Sequence, residues 1–145
     1  MEQVEEPWER CISISATGGK ADRDWYREKQ MPVFSWSSLA GGFLSGRITP
    51  ENRDEMAESM KLVARCYYSD ANFERLKRAM LLAERKNVSL PQVALAFLFH
   101  QGLDLYALVG SADGQELQTN IDALNLALSP DELAWLDLSG ETMPA

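Results

Sequence analysis

Short apolar runs alternate with longer amphipathic stretches along most of the chain. Two runs rich in strand-forming residues, at 31–36 (MPVFSW) and 103–109 (LDLYALV), each predict a short buried strand. Residues 11–15 (CISIS) alternate apolar and polar positions and predict a third, less marked extended segment. Both strong strands lead into runs of glycine and serine, which predict turns at their ends.

Helical patterns fill the rest of the chain. Helices are predicted at residues 20–30, 50–65, 70–86 (or from 72), 90–101, 114–127 and 130–138. Thr49 before Pro50 is expected to cap the second helix, and Ser89 with Gln92 predicts a capping box at the fourth. This order of strand, turn, helices, strand, turn and helix is typical of an α/β fold with a parallel sheet covered by helices.

The number of strands is small for such a fold. A closed parallel barrel needs eight strands and typically ~250 residues, whereas this chain has 145 residues and shows two strong strands. Because parallel sheets are stable when both faces and both edges are covered, length and strand count together predict an incomplete unit.

Charge and composition exclude several classes of function. The net charge of −8, from 22 acidic and 14 basic residues, argues against binding to nucleic acid or to anionic membrane surfaces. No apolar run approaches the ~20 residues of a membrane span, and no signal peptide is expected. Cys11 and Cys66 lack metal-ligand spacing and are expected to be reduced thiols in a cytoplasmic protein. His100 is the only histidine, so no metal site is predicted.

Three segments together resemble one known family. They are residues 34–47 (FSWSSLAGGFLSGR), 88–101 (VSLPQVALAFLFHQ) and 107–137 (ALVGSADGQELQTNIDALNLALSPDELAWLD). Their content, order and spacing resemble the aldo-keto reductase family, over residues 31–137. The resemblance implies a (β/α)8 TIM barrel. Residues 1–145 would then form the C-terminal part of an NADP-dependent oxidoreductase domain, with about strands seven and eight and their helices.

The resemblance also implies a role for the loop after the first strong strand. In this family such a loop holds the pyrophosphate of a nicotinamide dinucleotide, and the matching residues here are Ser37, Leu39, Gly42, Ser45 and Gly46. Glycines let backbone amides approach an anion without a β-carbon in the way, and serine hydroxyls donate hydrogen bonds. Without the resemblance, the same residues would indicate only a strand exit with unusual backbone angles.

The loop after the second strong strand matches the family less completely. Gly110 and Ser111 fit the family pattern. Gln115 and Glu116 occupy the positions of the family's glutamate–glutamine pair, but in reversed order. Asn120 matches the asparagine that hydrogen-bonds the adenine, the alternative being a solvated helix position. Ala112 stands where the family commonly has arginine or lysine, so the implied cofactor is NADP or NAD, with the NADP preference in doubt.

The implied reaction is carbonyl reduction by hydride transfer from the nicotinamide. The family's tyrosine, lysine, aspartate and histidine precede the matched region, so no catalytic residue is assigned and this chain alone is expected to be inactive. A carbonyl substrate is expected only in the complete enzyme, and the isolated chain is expected to self-associate. Two alternatives stay open: a non-catalytic module that binds a dinucleotide or a partner, and an unrelated α/β phosphate-binding domain.

Several other residues are predicted to be structural. Trp25, Trp36 and Trp135 are expected to be core or packing residues, the alternative for Trp36 being that it faces the nicotinamide from the strand end. His100 is expected at a helix C-terminus, and the charged residues of 72–86 are expected to form a solvated helix face.

Overall fold

The computed structural model describes residues 20–144, so Cys11 and the extended segment predicted at 11–15 lie outside the described residues. The described chain consists of seven α-helices, two short strands and two 3₁₀ turns. In chain order these are α1 Lys20–Lys29, β1 Val33–Ser35, a 3₁₀ turn at Ala40–Gly42, α2 Arg53–Ser59, α3 Lys61–Tyr67, α4 Asp70–Lys86, α5 Leu90–Phe99, β2 Leu105–Ala107, α6 Gly114–Asp122, a 3₁₀ turn at Ala123–Asn125, and α7 Pro130–Leu136.

The two strands pair in parallel, which confirms a small parallel sheet of the predicted kind. Three residue pairs set the register: Val33 with Leu105, Phe34 with Tyr106, and Ser35 with Ala107. Parallel strands need a crossover between them, and helices α2 to α5 supply it. The carboxyl ends of both strands therefore lie at one edge of the sheet.

One face of this sheet is exposed, so the prediction of fully buried strands is wrong. Phe34 is 64% exposed and Tyr106 is 50% exposed, and their rings stack with centroids 5.2 Å apart. The neighbouring positions on each strand are only half-buried. The described helices cover one side of the sheet and leave the other without a second layer. Apolar strand composition cannot distinguish one covered face from two.

The core lies where the segment after β1 meets helices α3 to α5. Its largest fully buried side chains are Phe43, Ile48, Leu76, Leu82, Leu95 and Val93. The Phe43 ring packs edge-to-face against Phe73 and Tyr68, with centroids 5.2 and 5.8 Å away. Such contacts add about 0.5–1.5 kcal/mol each beyond the burial of apolar area. The glycine-rich loop is therefore anchored to the helical core through its own phenylalanine.

The helices confirm the predicted capping box and correct two helix boundaries. Ser89 and Gln92 exchange the expected side-chain to backbone bonds at the start of α5. The helix predicted at 50–65 is instead broken at Met60 (φ −120°, ψ 51°) into α2 and α3. The helix predicted at 114–127 ends at Asp122 and continues only as the 3₁₀ turn.

The start of α2 also differs from the prediction, because Thr49 and Pro50 precede the helix. The amide of Thr49 donates to Asn52 Oδ1 (2.8 Å) and the amide of Asn52 donates to Thr49 Oγ1 (3.4 Å). These reciprocal bonds close a turn, and Asn52 becomes the N-cap residue.

The charged side chains of α4 are not all solvated, contrary to the prediction for 72–86. Arg75 is buried and donates to Asn72 Oδ1 (3.2 Å). Arg78 donates from Nη1 to the carbonyls of Trp135 and Gly140, both at 2.7 Å, and its guanidinium lies 5.4 Å from the Trp135 ring centre. Arg78 therefore joins α4 to α7 and to the segment around Gly140.

The three tryptophans differ in burial. Trp135 is a core residue, whereas Trp25 is 47% and Trp36 45% exposed, and the Trp25 ring packs edge-to-face against Tyr26 with centroids 5.2 Å apart. The described residues cover only part of each of these two side chains. His100 is the C-cap of α5, as predicted, with Nδ1 2.7 Å from the Ala96 carbonyl.

Glu132 joins α7 to α4 as a nearly buried acid. Its Oε1 lies 3.0 Å from Arg85 Nη2 and 2.9 Å from Lys86 Nζ. Burial acts to raise the pKa of the Glu132 carboxyl. The hydrogen bonds from Lys86, the Ser129 amide and Arg85, with the charge of Lys86, outweigh burial and hold that pKa below its ordinary value.

Glu132→Gln is expected to lower the melting temperature by several degrees at pH 7, because losing a buried charge-assisted pair costs on the order of 1–3 kcal/mol. A lowered folded-state pKa stabilises the fold above the ordinary glutamate value of about 4.3 and loses that effect as pH falls through the folded-state value. Melting followed by circular dichroism should therefore show a smaller difference between the chain and the variant at a pH well below the ordinary glutamate pKa than at pH 7. Glu58→Gln removes an exposed pair with Lys61 and serves as the control. A Glu132→Gln deficit of equal size at both pH values would contradict the assignment.

Candidate functional site

The candidate site lies where the carboxyl ends of the two strands meet. The amide of Leu108 donates to the Ser35 carbonyl (2.8 Å) just beyond the paired residues. The hydroxyl of Ser38 lies 2.8 Å from the Ser35 carbonyl and 3.2 Å from the Leu108 carbonyl. Because a hydroxyl has one proton, it is shared between these two acceptors. Ser38, which the sequence argument did not single out, thus joins the two strand ends.

The loop after β1 has an unusual backbone. Five of its residues have positive φ angles: Ser37 (53°), Ala40 (53°), Gly41 (63°), Gly42 (102°) and Gly46 (89°). For a residue with a β-carbon this conformation costs on the order of 1 kcal/mol or more. Strained backbone of this kind concentrates at ligand-binding loops, where the surrounding packing holds it in place.

Gly42 is required for a reason other than the predicted amide approach. Its own amide donates to the Leu39 carbonyl (3.1 Å), and its carbonyl accepts from the Ser45 amide (3.1 Å). At φ 102°, a β-carbon would be strained and would also lie 3.2 Å from Met60 Cε. At Gly46, by contrast, an added β-carbon meets nothing within 4 Å. Gly42 therefore shapes the loop, and Gly46 presents open backbone to its surroundings.

The end of this loop presents a cation. The Arg47 amide donates to Ser45 Oγ (3.4 Å), and the Arg47 carbonyl accepts from Asn52 Nδ2 (2.9 Å). These bonds fix the backbone of Arg47, while its side chain is exposed. The adjacent Ile48 is fully buried, so the cation projects from an anchored segment.

The segment after β2 brings three of the predicted site residues together. Asn120 is only 5% exposed, and its Nδ2 donates to Ser111 Oγ (3.1 Å). The interpretation of Asn120 as a solvated helix position is therefore wrong. Glu116 Oε2 accepts from the Ala112 amide (2.6 Å), and the Glu116 amide donates to Asp113 Oδ1 (2.8 Å).

Gly110 lies at the open end of this second loop. It is exposed, and an added β-carbon there would meet nothing within 4 Å. The two loops thus present small residues and hydroxyls at one edge of the sheet. Such an edge suits the backbone and hydroxyl recognition of an extended anionic ligand.

A cavity of about 250 Å³ lies beside the first loop, between the strands and α5. Most of its lining is apolar, including Leu44, Phe97 and Leu105. Its polar lining residues are Arg23, Ser37, Ser38, Arg75 and Gln101. A mostly apolar lining with a few polar groups is typical of small-molecule pockets.

Among residues 20–144, no helix combines the length and the apolar composition that crossing a membrane requires. Within the same residues, histidine, cysteine, aspartate and glutamate side chains form no group of three or more that could hold a metal ion. Cys66 is buried as a free thiol.

Comparison with known proteins identifies the relatives of the chain. A protein of Saccharomyces cerevisiae described as "Probable aryl-alcohol dehydrogenase" is 22% identical over 109 residues, which are 74% of this chain and 33% of that protein. The chain therefore spans about a third of the length of this curated relative. The sequence profile of the aldo/keto reductase family matches residues 23–140, which include both strands and both loops. The chain belongs to the aldo/keto reductase family.

Proposed function

We propose that this chain is the C-terminal, cofactor-holding part of an NAD(P)H-dependent aldo-keto reductase barrel. In this proposal β1 and β2 occupy the places of the seventh and eighth barrel strands. The observation that carries it is the convergence of two glycine- and serine-containing loops at the carboxyl edge of a parallel strand pair, joined by Ser38. In parallel barrels, ligands bind at this edge, often with a phosphate site after the last two strands. Family membership makes an unrelated phosphate-binding domain untenable.

The loop after β1 is proposed to hold the pyrophosphate. Ser37 and Ser45 offer hydroxyl donors, Gly46 offers open backbone, and the exposed Arg47 offers a positive charge. The carbonyl of Leu39 accepts hydrogen bonds from the amides of Gly42 and Leu44, and this turn sets the shape of the loop. This combination suits a pyrophosphate, because a bound pyrophosphate needs several hydrogen-bond donors and partial neutralisation of its charge.

The loop after β2 is proposed to hold the adenosine end. Gly110 leaves open space in which a ligand can approach the loop. The hydrogen bond from Asn120 Nδ2 to Ser111 Oγ holds these two side chains in one geometry. A planar amide both donates and accepts, which suits the edge of adenine. Preorganised polar groups of this kind lower the entropic cost of binding.

The reaction itself is proposed to belong to the complete barrel. When bound, the nicotinamide supplies the hydride for carbonyl reduction. The residues of this chain bind and orient the cofactor, and the general acid and the carbonyl pocket come from the preceding part of the barrel. The exposed sheet face also favours the alternative of a non-catalytic module that binds a dinucleotide or a partner.

Gly42→Val is expected to weaken binding of ADP-ribose, which contains the pyrophosphate and the adenosine, by well over tenfold. Valine is strained at φ 102°, and its β-carbon would lie 3.2 Å from Met60 Cε, so the loop is expected to change its backbone conformation. Isothermal titration of the chain and the variant measures the change directly. Gly102→Val is the matched control, because Gly102 also has a positive φ (67°) but precedes β2 at the opposite end of the sheet.

Gly102→Val should lower the stability of the fold and leave the affinity for ADP-ribose unchanged. An unchanged dissociation constant in Gly42→Val would argue against the pyrophosphate loop. Failure of the unmodified chain to bind ADP-ribose at all would contradict the proposed function of this chain.

A further inference from the structure

The cavity of about 250 Å³ between the strands and α5 has the opposite charge to the chain as a whole. The chain carries 22 acidic and 14 basic residues and a net charge of −8. Arg23 and Arg75 nevertheless line the cavity, and no aspartate or glutamate stands among its described lining residues. Cations without carboxylates in a cavity wall attract an anion, even in a protein whose net charge repels anions.

Both arginines belong to helices that the fold holds in place. Arg75 lies on α4, is only 7% exposed and donates from Nη1 to Asn72 Oδ1 (3.2 Å). Arg23 lies on α1 and is half-buried. One turn later on α1, Arg27 donates from Nε to the Gly102 carbonyl (3.3 Å), which fixes this helix beside the start of β2. A guanidinium that is partly removed from water attracts an anion more strongly than an exposed one, because water screens the charges less.

The rest of the cavity wall suits an apolar body. Leu44 contributes from the first loop, Val93 and Phe97 contribute from α5, and Leu103 and Leu105 contribute from the start of β2. The volume lies just below the range of about 300–1,000 Å³ that is typical of ligand pockets, so the occupant must be small. In such pockets apolar surface gives affinity, and a few polar groups fix the orientation of the ligand. Size and lining together therefore favour a small amphiphilic anion over a nucleotide.

We propose that this cavity is a binding site for a small monocarboxylate with an apolar body, whose carboxylate binds to Arg23 and Arg75. Guanidinium groups suit this role because they donate two parallel hydrogen bonds to one carboxylate. The cavity borders the first loop at Ser37, but its cations and most of its apolar wall come from the helices and from β2. The inference is therefore independent of the proposed dinucleotide site, which lies at the carboxyl edge of the sheet.

Isothermal titration with octanoate and with 1-octanol separates the effect of the charge from that of the apolar body. Octanoate is expected to bind about tenfold more tightly or better, because its carboxylate forms charge-assisted hydrogen bonds. Arg23→Gln should narrow this ratio by roughly three- to tenfold, since one of the two cations is lost. Lys29→Gln is the matched control. It removes the same charge from the same helix, but Lys29 is exposed, pairs with Glu28 (2.7 Å) and does not line the cavity.

Ala94→Phe tests the position of the site. Ala94 lines the cavity from α5 and is half-buried, so a phenyl ring at this position takes up space that the ligand needs. This variant is expected to weaken octanoate binding by more than tenfold, whereas Ala94→Ser, which adds one oxygen atom, should retain most of the affinity. Melting followed by circular dichroism shows that each variant is folded before it is titrated.

Four results would overturn the proposal. They are undetectable binding of octanoate, equal affinity for octanoate and 1-octanol, equal effects of Arg23→Gln and Lys29→Gln on the ratio, and unchanged octanoate affinity in a folded Ala94→Phe variant. The last of these would place the octanoate outside the cavity. Binding of ADP-ribose, which tests the proposed function, does not depend on any of these outcomes, so the two claims fail separately.

Discussion

The 145-residue chain is expected to show no NADPH- or NADH-dependent reduction of an aldehyde. Hydride transfer to a carbonyl creates an alkoxide, which needs a positioned general acid and donors for the developing charge. A general acid contributes about 10²–10⁴-fold to such a step, and each donor to the oxyanion about 10²–10³-fold. The resemblance places the groups of this mechanism before the matched residues 31–137, so the expected rate is below detection.

Tyr68 and Tyr106 are not expected to act as the general acid. A tyrosine acid requires a lowered pKa, whereas burial raises the pKa of Tyr68 despite the opposing charge of Arg53. The Tyr68 hydroxyl also donates to the Arg53 carbonyl (3.2 Å). Tyr106 lies exposed on the sheet face and stacks on Phe34.

Loss of nicotinamide absorbance with an excess of aldehyde is the measurement. Gly42→Val, purified in the same way, distinguishes a contaminant from the chain itself. Equal residual rates in both preparations would identify a contaminating reductase. A rate that is present in the unmodified chain and lost in Gly42→Val would show that the chain is catalytic, contrary to the prediction.

The sequence predicts local structure well where one residue type decides it. The capping box of Ser89 and Gln92 is present, because hydrogen bonding at a helix start is a local property. Hydrophobic periodicity locates both strands in the same way, whereas their parallel pairing follows from the order of strands and helices along the chain. The break at Met60 was not predictable, since neither glycine nor proline marks it. There α3 turns to bury Cys66 and Tyr67 in the core, which is a tertiary effect.

The details of the candidate site also depend on contacts between residues that are far apart in the sequence. The spacing of glycines and serines located both loops, but it could not show that Ser38 joins the strand ends across 70 residues of sequence. Nor could it show that Gly42 is needed for its backbone angle, or that Glu116 turns back to the Ala112 amide. Each of these depends on φ angles and on contacts that a one-dimensional pattern does not contain.

Self-association is the second large effect expected of the isolated chain. The sheet has only two strands among the described residues, so the outer edge of each strand presents unpaired backbone groups. Its open face is apolar, and a second apolar stripe lies on α6 and the 3₁₀ turn that follows. The exposed residues of these two surfaces are Phe34, Trp36, Tyr106, Leu108, Leu117, Ile121 and Leu124. Contiguous exposed apolar surface of this kind marks an interface or an aggregation site.

Light scattering coupled to size-exclusion chromatography, at several concentrations, should show a mass that rises with concentration above the 16.3 kDa of one chain. Net charge keeps a protein soluble but does not satisfy a strand edge or cover an apolar face. Tyr106→Glu places a charge in the middle of the sheet face and should shift the distribution strongly toward monomer. Leu62→Glu is the control, because Leu62 is similarly exposed but lies on α3, away from the sheet. A sharp monomer whose melting is cooperative and independent of concentration would show that this segment folds alone, and would contradict its assignment as part of a larger barrel.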